Sequence, residues 1–284
     1  MADQDFGEMT ERLRRSTVHI SAGRRERGTG SGVIWNADGL IVTNAHVAQS
    51  DRAVVQLWDG REFEAKVTAR DSRRDLASLR ISSSGLPAAN AGDSSALRPG
   101  EIVVAVGNPM GFIGALTTGV VHALGPLRGL GRQPWVQASV RLAPGNSGGP
   151  LADVRGRVIG LNTMIVAGGL ALAVPSNAVA EFLRHGGSRV MLGVSIRPVR
   201  LEDRNTLALL VLEVAPRGSA EAASILIGDL LIGANGRSFG STEDLADAIE
   251  ASSGGVMTLE FLRGDRRTRR HVSVRLGNRS AEAA

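Results

Sequence analysis

The sequence predicts a mainly β protein in two parts, an all-β first domain and a smaller αβ second one. Three observations carry this. From Thr17 to Pro175 short β-rich runs follow one another, divided by turn signals such as Ala37-Asp38-Gly39, Trp58-Asp59-Gly60 and Arg155-Gly156. Regular short strands with no helical pattern between them point to barrels or sandwiches, not βαβ units. After one helix-like stretch, Gly186-Gly187-Ser188 makes a natural boundary, and the residues beyond it carry a pattern of their own. At 284 residues, 43 % apolar and 21 % charged, the chain has core enough for one large domain or two ordinary ones, which excludes wholesale disorder.

In chain order, residues 5–15 read as a short amphipathic helix. Asp5 and Glu8 have capping-box spacing, and Phe6, Met9 and Leu13 form an apolar stripe that should dock. Strands are expected at Thr17–Ser21, Ser31–Trp35, Leu40–Asn44, Ala53–Trp58, Glu62–Ala69 and Leu76–Ile81. A second set follows at Ile102–Val106, Leu116–Leu124, Trp135–Val140, Val158–Ile165 and Leu170–Val174. Ser176–His185 reads as a helix, with Ser176 as N-cap and Val179, Phe182 and Leu183 on one face. The second domain then offers strands near Leu192–Val199, Leu207–Val214 and Leu230–Ala234, an Asn235-Gly236 turn and a helix over Ser241–Ala251. Two closing strands flank an arginine-rich hairpin at Arg263–Arg270. The expected boundaries are 1–15 for the helical segment, 16–186 and 189–277 for the domains, and 278–284 for a disordered tail.

Composition narrows the chemistry. With no cysteine there is no disulfide framework, zinc–thiolate site, iron–sulfur cluster or cysteine nucleophile. No apolar run approaches the roughly 18 residues of a membrane span. The first fifteen residues lack a secretory apolar stretch and hold four acidic residues, which argues against a transit peptide. The chain therefore reads as soluble with its compartment unassigned: cytoplasmic as it stands, extracytoplasmic if a leader has been removed. The net charge of +5 invites a nucleic-acid reading, but aromatics are only 3 % of the chain, which leaves little for base stacking. Nucleic acid is not an expected partner.

The densest chemical signal is Gly145-Asn146-Ser147-Gly148-Gly149-Pro150. A serine hydroxyl is a poor nucleophile without a base in reach and donors for the oxyanion it creates. Glycines around Ser147 allow a sharp backbone that can aim the Gly145 and Ser147 N–H groups into one space. The same residues satisfy the Gly-x-Ser-x-Gly pattern of α/β-hydrolases, which needs a helix next and the acid and histidine downstream. Here Leu151–Ile165 is β-like, so that reading fails and the base is expected upstream. Among five histidines, His46 closes the apolar run Leu40–Val47, while His19, His122, His185 and His271 read as ordinary side chains. Asp75 opens the apolar stretch Asp75–Leu79, where a carboxylate could fix the His46 tautomer. Asp71, in a turn-like stretch, is its nearest rival. The order His46, Asp75, Ser147 is the chymotrypsin-like one.

The chain resembles the HtrA (DegP/DegS/DegQ-like) serine proteases. The matching segments are Gly30–Ile34, Val42–Val47, Asp75-Leu76-Ala77, Gly107-Asn108-Pro109, Thr118–Val121, Pro144–Pro150 and Ala173–Asn177, in family order. The resemblance implies a chymotrypsin-like double six-stranded β-barrel followed by a small αβ PDZ domain, with neither metal nor cofactor. Ser147 would be the nucleophile, His46 the general base and acid, Asp75 the orienting carboxylate, and Gly145, Asn146 and Ser147 the oxyanion hole. A substrate pocket would involve Arg141, Leu142, Leu170, Ala171 and Leu172. In the PDZ-like part, Leu192, Gly193, Val194, Leu245 and Ile249 would bind a peptide C-terminus added as an extra strand. The implied function is ATP-independent cleavage of unfolded or damaged proteins by a homotrimer, with Phe6, Met9 and Leu13 at the trimer contact. The alternative is a catalytically inactive peptide-binding or chaperone-like module.

Departures from the family pattern mark this chain. Arg141 lies six residues before Ser147, at a position that often forms the base of the primary specificity pocket. It either favours an acidic P1 side chain or blocks the pocket, or else it snorkels to solvent. Ala171-Leu172 replace a usual Gly-Phe, Ser224 replaces a usual glycine, and the loop Ala22–Thr29 is short.

Overall fold

A computed structural model describes residues 6–21, 29–127, 130–166, 169–184, 192–201, 206–252, 255–264 and 268–276. The chain divides into two compact units, Met1–Gly187 and Ser188–Ala284. The first begins with helix α1 (Phe6–Ser16) and six strands: β1 (Thr17–Ser21), β2 (Thr29–Asn36), β3 (Leu40–Thr43), β4 (Arg52–Gln56), β5 (Glu62–Asp71) and β6 (Leu76–Arg80). They close into an antiparallel barrel in the order β1-β2-β3-β6-β5-β4. A two-residue strand β7 (Asn90–Ala91) leads to the second set, β8 (Ile102–Gly107), β9 (Ala115–Pro126) and β10 (Pro134–Ala138). This set continues with β11 (Pro150–Asp153), β12 (Arg157–Ile165) and β13 (Ala171–Pro175). Strands β8 to β13 form a second closed ring of six, because β11 pairs with both β8 and β12; β7 adds to β12 in parallel from outside.

Strand alternation explains why several of these runs are continuously apolar. Ile34, Ile41 and Leu79 fill the first barrel, whereas Val33, Val42 and Leu76 from the same strands point out into a shared core. In the second barrel, Ala171 and Ala173 face inward beside Val136 and Leu151, and Leu172 and Val174 face the shared core. A strand buried on both faces has no polar positions to alternate with. Met9 and Leu13 of α1 join that core at 1 % and 2 % exposure, each burial worth about 1.5–3 kcal/mol. Helix α2 (Ser176–Arg184) joins the same core through Val179 and Phe182.

Two expectations need correction. Phe6 does not dock with Met9 and Leu13 but is 47 % exposed, because α1 presents only its inner stripe to the core. Ser176 does not cap α2 from outside: it is the first helical residue, and its hydroxyl donates to the Gly92 carbonyl at 2.7 Å. His46 lies in the turn after β3 and Asp75 in the turn before β6, at the ends of the apolar runs. The Asp5 half of the capping box and the break at residues 186–188 fall outside the described residues.

The second unit comprises β14 (Val194–Leu201), β15 (Thr206–Val214), the single turn α3 (Ser219–Ala222), β16 (Leu230–Ala234) and β17 (Arg237–Ser238). Helix α4 (Glu243–Ala251), β18 (Val256–Leu262) and β19 (Arg269–Arg275) complete it. Its sheet runs β14-β15-β16-β18-β19, with β17 on β16 across the Asn235-Gly236 turn, where both residues have positive φ as a tight hairpin requires. The arginine hairpin is partly structural. Arg263 grips the buried Asp229 with two bonds of 2.7 Å, donates to the Ser224 carbonyl and stacks 5.0 Å from the Phe261 ring centroid. Arg269 lies 3.7 Å from Glu260.

Ser224 follows α3 at φ 57, a left-handed backbone that penalises any side chain. Its side chain is exposed, and Arg263 holds only its carbonyl. Ser224→Gly is therefore expected to stabilise the second unit by about 0.5–1 kcal/mol. Urea unfolding of the full chain checks this, and an unchanged or lower midpoint for the second unit contradicts it.

Candidate active site

Three backbone turns converge on one cluster of side chains. The first follows β3. Asn44 is buried, its carbonyl accepts the amides of Val47 (3.1 Å) and Ala48 (3.2 Å), and this tight turn presents His46 outward with 47 % of its side chain exposed. The second turn precedes β6 and ends at Asp75, which has φ 55. A non-glycine residue in that region is strained by about 1 kcal/mol or more and persists where surrounding contacts over-determine it. Here they do. Asn44 Nδ2 donates to the Asp75 carbonyl at 2.9 Å, and the carboxylate accepts the His46 amide at 3.1 Å. His46 Nδ1 lies 2.8 Å from Asp75 Oδ2 and 3.0 Å from Oδ1.

The third turn carries Ser147. Asn146 N donates to the Ala143 carbonyl at 3.0 Å across Pro144-Gly145, with Gly145 at φ 103, the proline-glycine pattern of a type II turn. A Cβ on Gly145 would come within 2.5 Å of the Asn108 carbonyl oxygen, and one on Gly148 would collide with the Ser31 carbonyl. Glycine is required at both for space as well as dihedral angle. Ser31 N then donates to the Ser147 carbonyl at 2.7 Å, and Gly148 N to the Asn162 carbonyl at 2.7 Å. The Gly145 and Ser147 N–H groups donate to no protein acceptor among the described residues, as two amides poised for an incoming anion would.

Thr163 on β12 joins the pieces, and the sequence reading missed it. Its hydroxyl donates to Asp75 Oδ2 at 2.5 Å, and its carbonyl accepts Ser147 Oγ at 2.9 Å. The linkage runs Ser147–Thr163–Asp75–His46, and among the described residues no hydrogen bond joins Ser147 Oγ to His46. No spacing rule marks Thr163, since it sits inside an apolar strand and acts only through the fold. Asp75 feels two opposed influences. Burial pushes its carboxyl up, but the hydrogen bonds from His46 and then Thr163 outweigh that and leave it below the ordinary carboxylate range.

Other expected site residues are placed differently. Asn146 cannot share its backbone N–H with an oxyanion, because the turn uses it. Arg141 is exposed, its amide held by Thr117 Oγ1 at 3.0 Å, so no buried guanidinium sits in a pocket. Ala171 and Leu172, at 2 % and 0 % exposure, pack into the core, since β13 is buried on both faces. Leu142 and Leu170 are half-buried. In the second unit, Leu192 and Leu245 are buried in its core, and Val194, Ile196 and Ile249 pack half-buried on the same cluster. Gly193, at φ 78, holds Ala215 N through its carbonyl. Strand β14 is an edge of its sheet, with α4 facing the same apolar cluster.

Comparisons with known proteins point one way. A family profile described as a trypsin-like peptidase domain matches residues 30–161, and one described as a PDZ domain matches residues 210–263. The chain is 36 % identical over 273 residues to a probable periplasmic serine endoprotease, DegP-like, from Halomonas elongata, covering 89 % of this chain and 57 % of that one. It is 34 % identical over 297 residues to the serine protease HTRA1 of Xenopus tropicalis, covering 92 % and 64 %. The chain thus spans less than two thirds of the length of these relatives. Among solved structures, an HtrA-type protease AlgW with a decapeptide superposes with TM-score 0.73 at 25 % identity, covering 97 % of this chain and 99 % of that one. A serine endoprotease from Yersinia pestis gives 0.70 at 25 %, covering 98 % and 99 %. None of these likenesses favours an inactive peptide-binding module.

The Thr163–Asp75 bond has a measurable consequence. A carboxylate held below its ordinary value in the fold stabilises the protein above its unfolded pKa, and that contribution fades as pH falls through the folded one. Thr163→Val removes a donor to the charged form, so the acid unfolding midpoint is expected to rise. Circular dichroism across roughly pH 2–6 reads it out; an unshifted midpoint contradicts the assignment.

Proposed function

We propose, from the premise that the chain belongs to the HtrA family of serine proteases, that it is a serine endopeptidase cleaving unfolded or damaged proteins. In this reading Ser147 Oγ attacks the scissile carbonyl while His46 Nε2 takes its proton and passes it to the leaving amine. Water then hydrolyses the acyl-enzyme by the same relay. Asp75 holds Nδ1–H toward itself and stabilises the imidazolium, and the Gly145 and Ser147 N–H groups receive the oxyanion. The observation that carries the reading is the 2.8 Å His46–Asp75 contact beside a serine loop with two unpartnered amides. To react, Ser147 Oγ leaves the Thr163 carbonyl and turns about χ1 toward His46. Hydrogen bonds of this kind are often loose in unliganded enzymes and tighten with substrate.

For the second unit we propose capture of peptide C-termini. The peptide adds as a strand to the free edge of β14 and lays its last side chain on Val194 and Ile249, over a floor of Leu192 and Leu245. A homotrimer is proposed on the family's pattern. Met9 and Leu13 are buried in the chain's own core, which leaves Phe6 as the helix residue free to meet another copy. The DegP-like relatives are named periplasmic, and an extracytoplasmic address is proposed with them. Among the described residues no helix is long and apolar enough to cross a membrane.

The deciding experiment compares casein degradation and fluorophosphonate labelling in wild type and Ser147→Ala. Wild type is expected to label and degrade, and the variant to lose at least about 10⁴-fold in kcat. A wild type silent in both assays, with C-terminal peptides added, overturns the endopeptidase reading. Because the Arg141 guanidinium is exposed, Arg141→Ala should leave the ratio of P1-Val to P1-Asp cleavage within about twofold. A change of about tenfold or more would place that side chain at the specificity pocket.

A further inference from the structure

Ser31 is fully buried, and the catalytic scheme above gives it no part. Yet it bonds the oxyanion loop directly, through its hydroxyl and its amide. Its hydroxyl donates to the Gly145 carbonyl at 2.7 Å and accepts from Asn108 N (2.9 Å) and Asn108 Nδ2 (3.2 Å), which uses its one proton and both lone pairs. Its amide donates to the Ser147 carbonyl at 2.7 Å, and its own carbonyl accepts Thr43 Oγ1 at 2.6 Å. Asn108 is fixed in turn: Nδ2 also donates to the Val18 carbonyl, and Oδ1 accepts Gly114 N, both at 2.9 Å.

The physical need for such a brace lies in Gly145. Without a Cβ its two flanking peptide planes rotate at little cost, so the aim of its N–H, which lies in the Pro144–Gly145 plane, depends on what holds both planes. Two carbonyls define those planes. Pro144 O is held by Met110 N at 3.2 Å, and Gly145 O is held by Ser31 Oγ. Ser31 thus reaches from β2 of the first barrel to fix a plane in a loop of the second, and through its amide it fixes the Ser147 carbonyl as well.

We propose that Ser31 is a positioning residue for the oxyanion donors, acting through the Gly145 and Ser147 backbone and touching no substrate atom. The proposal rests on the endopeptidase reading for its effect on rate, but its structural content stands apart from it. With the hydroxyl removed, the Gly145–Asn146 plane keeps only the bond from Asn146 N to the Ala143 carbonyl. This plane carries neither donor but joins the one bearing the Gly145 N–H to the one bearing the Ser147 N–H, so their relative aim loosens. The tetrahedral intermediate then loses stabilisation that bound substrate never had, so kcat falls and KM does not.

The test compares wild type with Ser31→Ala and Ser31→Cys, the second filling the same space with a weak donor. Both variants are expected to lose at least about tenfold in kcat on a peptide substrate, with KM within about twofold. Amide exchange, read by mass spectrometry, is expected to quicken by about tenfold across residues 143–149, where Asn146, Gly148 and Gly149 donate loop bonds. Exchange over the β4–β5 hairpin should stay unchanged, which separates loop release from global destabilisation. A wild-type kcat in both variants, or one restored by cysteine alone, overturns the proposal, the latter because packing would then suffice. Should wild type itself fail to turn over, the endopeptidase reading falls, and unchanged exchange at 143–149 would overturn the Ser31 assignment independently.

Discussion

A buried carboxylate must be hydrogen-bonded, and the donors to Asp75 come from both barrels. His46 supplies its ring and amide from the turn after β3, and Thr163 supplies a hydroxyl from β12. Leaving either side unmade would leave part of a largely dehydrated charge unpaired, at a cost of about 1–3 kcal/mol. The carboxylate therefore acts as a peg between barrels whose apolar strands already share one core. Val33, Val42 and Leu76 from the first meet Val104, Leu161 and Leu172 from the second. Packing brings the barrels together without direction, and Asp75 gives the contact its register at the point where the proposed chemistry takes place.

Around that peg the molecule combines one permissive loop with rigid braces. Residues 143–149 need glycine where φ is positive and where backbone from Ser31 and Asn108 crowds in. The same glycines make the loop easy to deform, and its shape comes from outside, from strand ends that are themselves locked into closed barrels. The resting Ser147 hydroxyl fits this division of labour. It rests on the Thr163 carbonyl, while the backbone around it is held by bonds from Ser31 and to Asn162.

The second unit has a separate economy. Its core of Leu209, Val211, Leu231, Met257 and Leu259 is its own, and its buried Asp229 is neutralised by Arg263 from the hairpin that the charge count alone would read as a solvated basic patch. That pairing locks the turn after α3 onto β18. Edge strand β14 is left unpaired on one side, next to half-buried apolar side chains, which is the physical prerequisite for strand addition.

The sequence by itself determined the mainly β architecture and its two parts, because period-2 runs, glycine turns and a single helix-breaking boundary are local signals. It also singled out His46, Asp75 and Ser147, since each sits at the end of an apolar run or amid glycines whose chemistry is legible in one dimension. Tertiary structure decided what those residues touch. Thr163 and Ser31 lie 16 and 116 residues from Ser147, inside strands that read as ordinary core, and become its neighbours only when barrels close. The fate of Arg141, Ala171 and Leu172 was undecidable for the same reason: whether a side chain faces a cleft, a core or water depends on which element packs over it. Periodicity tells which residues share a face, and only packing tells what that face meets.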